Sequence, residues 1–383
     1  MFDSITSSAS LLPIQTLQND FVDIVVIGEG EDTLGEVADA TIKQNGLKKV
    51  NGIGYKKNGL VKLTKSRRWL ELDKYAPAWD LIDARRYFTR LGSKRRAFSI
   101  VTSRGCPHQC TFCYNVAFNR MTWRAHSTSY VVSQISMLKK KLGIDAIYFQ
   151  DDNFFTDKQR AYKILEKIKL PWYAEVRADY LTRKDVEKME QLNCQRLLIG
   201  AESGSPRILK EIVKKDLKKE EIVRAVKLCK NKIPVSLSFI VGYPTESMEE
   251  LGETMECVEQ LLRIEAENVI DVNVLAPYPG TEIYNLLPDE FKPKSTEEWQ
   301  YLTRKVISLP WLNQEQRKMI NGMLIAAHYF HPGYSKTRAN RLIQRMLRFR
   351  WRYKFFDFFL EPELIRLKEN LFKWRVKQQK KIA

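Results

Sequence analysis

Three cysteines stand on one short segment, Ser103-Arg-Gly-Cys106-Pro-His-Gln-Cys110-Thr-Phe-Cys113-Tyr-Asn115, at the spacing C-x3-C-x2-C. Three thiolates so close in sequence suit a soft metal or an iron–sulfur cluster. A structural zinc site wants four closed ligands, and no fourth cysteine lies nearby. His108 is expected to point away from a loop that wraps a cluster. Three ligands leave one iron open to a substrate or cofactor. The other cysteines, Cys194, Cys229 and Cys257, are isolated and read as small buried hydrophobes. Met1 to Gln18 has neither a basic start nor a continuous apolar stretch, so no secretory signal is expected. The expected setting is then cytoplasmic and reducing, where thiols serve metals or catalysis rather than disulfides.

Such a loop needs a scaffold. Between Phe98 and Gly280, apolar β-rich runs alternate with amphipathic stretches. The runs are Phe98–Thr102, Ala146–Gln150, Trp172–Val176, Arg196–Gly200, Val235–Gly242 and Val269–Ala276. Helical stretches are expected near 129–142, 157–169, 183–192, 206–230 and 247–264. Six strands with interposed helices imply a parallel α/β sheet. Functional residues then belong at the C-terminal ends of the strands, and the cysteine loop follows the first strand directly. Ahead of it, Val22–Ile27 reads as one strand, Gly28-Glu-Gly-Glu31 as a turn and 33–44 as a helix. The alternation of Val50–Thr64 predicts a hairpin, and Leu70–Phe88 reads as irregular linker.

The C-x3-C-x-aromatic-C form, with Phe112 as the aromatic, resembles the signature of the radical S-adenosylmethionine superfamily. The further motifs resemble its cobalamin-domain-associated group. They are Asp23-Ile-Val-Val-Ile-Gly-Glu-Gly-Glu31, Gly52-Ile-Gly-Tyr55, Pro77-Ala-Trp-Asp-Leu81, Phe149-Gln-Asp-Asp-Asn-Phe154, Arg177-Ala-Asp179, Gly200-Ala-Glu-Ser-Gly204, Gly242-Tyr-Pro-Thr-Glu246 and Pro277-Tyr-Pro-Gly-Thr281. The resemblance implies a partial (β/α)6 barrel over 96–285. Ahead of it would lie a truncated α/β remnant of a cobalamin-binding-like domain over 1–45 and a linker with a hairpin over 46–95. A basic helical region would follow over 286–383. It implies a 4Fe–4S cluster on Cys106, Cys110 and Cys113, whose open iron chelates S-adenosylmethionine. An electron from the cluster then cleaves that cofactor to a 5′-deoxyadenosyl radical, with a flavodoxin or ferredoxin as donor.

Residue by residue, the same resemblance places Asp151 or Asp152 near the methionyl amino group and Arg177 near its carboxylate. Glu202 and Ser203 would face the ribose. Gly242, Pro279 and the backbone of Tyr114 would lie along the adenine. Each has a plainer alternative: a helix cap for the aspartates and for Ser203, a barrel salt bridge for Arg177, a strand-ending turn for Pro279. The cobalt-ligating Asp-x-His-x-x-Gly loop of the group is missing, and the four histidines lie at 108, 126, 328 and 331. Cobalamin binding by this chain is therefore not expected. The implied activity is methylation, cyclisation or rearrangement of a lipid, tetrapyrrole or other natural product. A tRNA-modifying enzyme and a non-enzymatic metal-binding protein are the alternatives. No second cysteine cluster or appended RNA-binding barrel supports the former, and the intact loop argues against the latter.

The whole chain of 383 residues, 44% hydrophobic and 29% charged, has the composition of a folded protein. No apolar run reaches the roughly 18–20 residues of a membrane span. The net charge of +18 favours an anionic partner. From Lys336 to Ala383 there are 15 basic and 4 acidic residues, so most of the excess sits there. Within it, Arg338, Arg341, Arg345, Arg348 and Arg352 form one helical stripe. Leu342, Met346, Phe349, Tyr353 and Phe356 form another, with Trp351, Phe355, Phe358 and Phe359 as further interfacial aromatics beside it. A basic, aromatic amphipathic helix over 336–359 is expected to lie on an anionic membrane surface or to pack on the barrel, with RNA contact as a further alternative.

Overall fold

Short runs of β-branched and aromatic residues, each buried on one face, build the sheets. The computed structural model describes residues 9–43, 46–295, 298, 309–331 and 338–356. Its strands are β1 (Ile24–Val26), β2 (Ile53–Lys57), β3 (Leu60–Leu63), β4 (Thr89–Leu91), β5 (Lys94–Ile100), β6 (Ser103–Arg104), β7 (Arg124–Ala125), β8 (Ala146–Phe149), β9 (Trp172–Val176), β10 (Cys194–Glu202), β11 (Val235–Val241) and β12 (Val269–Val274). Its helices are α1 (Pro13–Leu17), α2 (Glu31–Ile42), α3 (Tyr114–Phe118), α4 (Thr128–Leu142), α5 (Lys158–Ile168), α6 (Arg183–Gln191), α7 (Lys219–Cys229), α8 (Met248–Ile264), α9 (Glu282–Asn285), α10 (Gln314–Phe330) and α11 (Arg338–Tyr353).

The large sheet has the order β12-β11-β10-β9-β8-β5-β4. Its six strands from β5 to β12 are parallel, and β4 adds an antiparallel edge. This is the partial (β/α)6 barrel. Along β9, Trp172, Ala174 and Val176 are buried beneath the helices while Tyr173 and Glu175 face inward. Phe149 and Phe154 stack at 4.0 Å within that outer core. The helices after β8, β9 and β11 open on side-chain caps: Asp157 accepts from Arg160 N–H, Thr182 from Asp185 N–H and Ser247 from Glu250 N–H.

Two boundaries differ from expectation. β1 pairs antiparallel with β2, so the break expected between 45 and 46 falls inside one small sheet, β1-β2-β3. That unit has its own core of Val50, Ile53 and Tyr55. The break expected between 95 and 96 falls inside β5. The single helix expected over 206–230 is also interrupted. A π-helical turn, Ile208–Val213, ends at Lys214, which with Asp216 takes positive φ before α7 begins.

The C-terminal helices pack on the barrel. Trp351 donates its indole N–H to the Met255 carbonyl on α8 at 2.8 Å. In α11 the buried stripe is Ile343, Leu347 and Trp351. It is not the stripe expected from periodicity: Leu342, Phe349 and Tyr353 are each at least 60% exposed, Met346 is half-buried and only Phe356 is buried. Phe358 and Phe359 lie outside the described residues.

Candidate active site

The cysteine loop leaves β6, which pairs with β7 to close a small hairpin around it. Gly105 opens the loop at φ +85, and a Cβ there would meet the Thr122 carbonyl oxygen at 2.0 Å. Cys113 N–H donates to the Cys110 carbonyl at 3.0 Å. Thr111, between the cysteines, donates through its backbone N–H to the Val213 carbonyl and through its hydroxyl to Ile212. The loop is thus tied to the π-helical turn after β10.

All three cysteines are free. Burial raises their thiols, Cys113 to about 12. The cations of Arg177 and Lys215 act against this at Cys106 and Cys110, favouring the thiolate. Among the described residues no three His, Cys, Asp or Glu side chains stand in a finished metal-ion arrangement. The donor set is nevertheless what a soft cluster takes: three free thiols on one anchored loop, with the cations of Arg177 and Lys215 acting on Cys106 and Cys110. His108 is engaged elsewhere, its Nε2 lying 2.9 Å from the Tyr180 hydroxyl.

The expected cofactor residues divide by what already occupies them. Asp151, 1% exposed, accepts from Thr102 N–H and hydroxyl and from the Ser103 hydroxyl. Burial pushes its carboxyl up to about 6 against those bonds. Asp152 accepts from Gly105 N–H at 3.0 Å and from the Tyr114 hydroxyl at 2.9 Å, bracketing the cysteine loop. Arg177 grips Asp179 in a bidentate pair with both contacts at 3.0 Å and donates to the Lys215 carbonyl. Ser203, fully buried, shares its hydroxyl with Thr254 and Ser205 N–H in the turn after β10. Gly242, at φ +85, and Tyr243 both donate N–H to the Glu246 carboxyl. Pro279 is buried in the turn before Gly280, where a Cβ would press on Ala117 at 2.7 Å. Phe112 packs edge-on against Tyr243, 6.4 Å between ring centroids.

Glu202 stands apart. It ends β10 at a bulge, takes φ +61, and is 6% exposed. Its carboxylate holds Lys215 Nζ at 2.5 Å, and Lys215 also donates to the Gly200 carbonyl at 2.8 Å. A buried ion pair on a left-handed non-glycine backbone is costly. Lys215 was not foreseen, because Lys214-Lys215-Asp216 looks like the solvated face of a continuous helix. Glu175, inside the barrel, is raised to about 7 by burial and then by the charges of Asp152 and Glu202. Glu29 was also missed: it reads as a turn residue, yet it accepts from Arg104, Arg124 and Leu70 N–H. Burial would raise its carboxyl, but those bonds hold it below the usual range. It locks the small N-terminal sheet onto the β6–β7 hairpin.

Residues 100–258 match the model of the Radical SAM superfamily. An uncharacterized methyltransferase of Pyrococcus horikoshii is 35% identical over 69% of this chain and 57% of its own. The anaerobic magnesium-protoporphyrin IX monomethyl ester cyclase of Synechocystis is 26% identical over 69% of this chain and 53% of its own. The chain thus spans about half the length of these curated relatives. The structure of the cobalamin-dependent S-adenosylmethionine radical enzyme OxsB, with aqua-cobalamin and S-adenosylmethionine bound, superposes with a TM-score of 0.59. It covers 89% of this chain and 61% of that one at 18% identity, a likeness of fold.

Proposed function

Since residues 100–258 are a radical S-adenosylmethionine domain, we propose that the chain holds a 4Fe–4S cluster on Cys106, Cys110 and Cys113. With S-adenosylmethionine it would modify a tetrapyrrole, lipid or other natural product by methylation, cyclisation or rearrangement. The observation that carries the reading is the anchored three-thiol loop beside Arg177, Lys215 and the strained Glu202. The cluster and cofactor supply the one-electron chemistry when bound. The chain's own part is positioning: Asp151 and Asp152 fix both ends of the loop's entry, Glu202 presents a carboxylate to the mouth, and the Glu246 carboxyl sets the Gly242–Tyr243 backbone. Glu175 holds a proton near neutrality inside the barrel. The small sheet β1-β2-β3 is antiparallel and residues 9–95 contain no histidine, so these residues offer no imidazole to cobalt and no step here runs through cobalamin. A flavodoxin or ferredoxin in the cytoplasm would supply electrons. Anaerobically reconstituted protein should carry about four irons, and replacing all three cysteines with Ala should abolish them. A triple variant that kept its iron would overturn the assignment.

No helix among the described residues is long and apolar enough to cross a membrane. The exposed Leu342, Phe349 and Tyr353, beside exposed Arg345, Arg348 and Arg352, favour peripheral contact with an anionic surface.

A further inference from the structure

A polar cavity of about 420 Å3 opens on the rim of the barrel between the N-termini of α4 and α5. Its wall includes Trp123, Ser127, Thr128, Arg160 and Lys163. Arg160 is 9% exposed, and the carboxylates of Asp151, Asp157 and Asp73 act on it electrostatically. Its Nε donates to the His126 carbonyl at 2.8 Å and its Nη2 to the Thr102 carbonyl at 2.7 Å, while Nη1 is buried without a partner. The Trp123 indole N–H on the same wall is likewise buried and unpartnered. The Arg160 guanidinium carbon lies 5.9 Å from the centre of the Trp123 ring. Buried donors left unsatisfied are costly and call for an acceptor. The N-termini of α4 and α5 add positive potential, although Asp73 accepts Ser127 N–H at 3.0 Å and Ser127 caps Tyr130 N–H, and Lys163 adds an exposed ammonium. The one carboxylate on the wall among the described residues, Asp157, is used as the α5 cap, accepting Arg160 N–H at 2.9 Å.

We propose that this cavity is a binding site for a phosphate-type oxyanion, held by Arg160, Lys163, Trp123 and the first turns of α4 and α5. Several donors converge on one volume, which matches a group that accepts on several oxygens at once. The bound group also meets the active site. Arg160 Nη2 holds the Thr102 carbonyl, and Thr102 N–H and hydroxyl hold Asp151. The ligand is either free phosphate or the phosphate of a larger molecule whose remainder reaches toward the barrel mouth.

Calorimetric titration of the purified full chain with inorganic phosphate, and separately with phenyl phosphate, tests this. One saturable site is expected. Lys163→Glu, at an exposed side chain, should weaken it by at least about tenfold, as loss and reversal of a charge-assisted contact requires. Arg160→Lys should do the same, and Lys163→Glu keeps the test valid should Arg160→Lys fail to fold. Tighter binding of phenyl phosphate identifies an esterified ligand, and equal binding identifies the free ion. Absence of a saturable site, or phosphate affinity unchanged in Lys163→Glu, overturns the proposal.

Discussion

At the scale of single residues, the Glu202–Lys215 pair makes the sharpest commitment. Both side chains are 8% exposed, so removing one leaves an uncompensated buried charge. That typically costs about 3–5 kcal/mol, whereas removing both costs much less. Lys215→Met should therefore lower the denaturation midpoint strongly, and Glu202→Gln/Lys215→Met should recover most of it. If Glu202 serves the cofactor, the recovered double variant will still bind S-adenosylmethionine at least about tenfold more weakly. A double variant that regains stability and binding together would make the pair merely structural. Glu246 gives a pH prediction. Burial raises its carboxyl from 4.5 to about 8 despite two backbone N–H bonds, so the folded state keeps a proton that the unfolded state has lost. Its contribution is therefore greatest below the unfolded value and declines as pH rises through the window from 4.5 to about 8. Glu246→Gln keeps an acceptor for Gly242 and Tyr243 N–H without the charge. Between pH 5 and 8 the variant should lose less stability than the parent in urea denaturation, Asp151 and Glu175 retaining a smaller slope of the same sign. An unchanged slope would mean that Glu246 is not the titrating group.

At the scale of elements, the six parallel strands and the cysteine loop could be read from the sequence because local pattern determines them. β-branched runs such as Val235–Val241 sit between capped helices, and cysteine spacing needs no tertiary context. What pattern could not decide depends on the partner. β1 has the composition of a parallel strand but finds β2, a hairpin arm, as its neighbour. Helix α11 carries two apolar stripes at helical period, and only packing against α8 and α10 selects Ile343, Leu347 and Trp351 for burial. Arg345, Arg348, Arg352, Phe349 and Tyr353 line a groove of about 350 Å3. The chain should sediment with anionic but not with neutral vesicles. Replacing Arg345, Arg348, Phe349 and Tyr353 with Ser should abolish this, since each basic residue near the surface contributes ~1 kcal/mol. Sedimentation unchanged by the four replacements would remove α11 from the account, and capture of RNA in place of vesicles would assign it to nucleic acid. Gly105 is decisive for the loop itself: Gly105→Ala would drive a Cβ into the Thr122 carbonyl and should yield folded barrel with markedly less bound iron after reconstitution.

At the scale of the whole molecule, three bodies converge on one loop. The barrel presents the cysteines at the C-terminal ends of its parallel strands. The small N-terminal sheet reaches the β6–β7 hairpin through Glu29, whose carboxylate meets Arg104 at 2.7 Å and Arg124 at 2.9 Å. Helix α10 and the segment before it close the far side, with Trp311 donating to the Gly242 carbonyl at 3.0 Å. Through Arg104 and Phe112, motifs as distant in sequence as Gly28–Glu31 and Gly242–Glu246 both contact the segment that carries the cysteines. The central claim is that this loop supports radical cleavage of S-adenosylmethionine, and one measurement meets it directly. Reconstituted, chemically reduced protein is incubated anaerobically with S-adenosylmethionine, and 5′-deoxyadenosine is quantified by mass spectrometry. The parent chain is expected to form it, and the Cys106→Ala/Cys110→Ala/Cys113→Ala variant none above background. Equal yields from the two proteins, or no product from a parent chain carrying its full complement of iron, would contradict the claim.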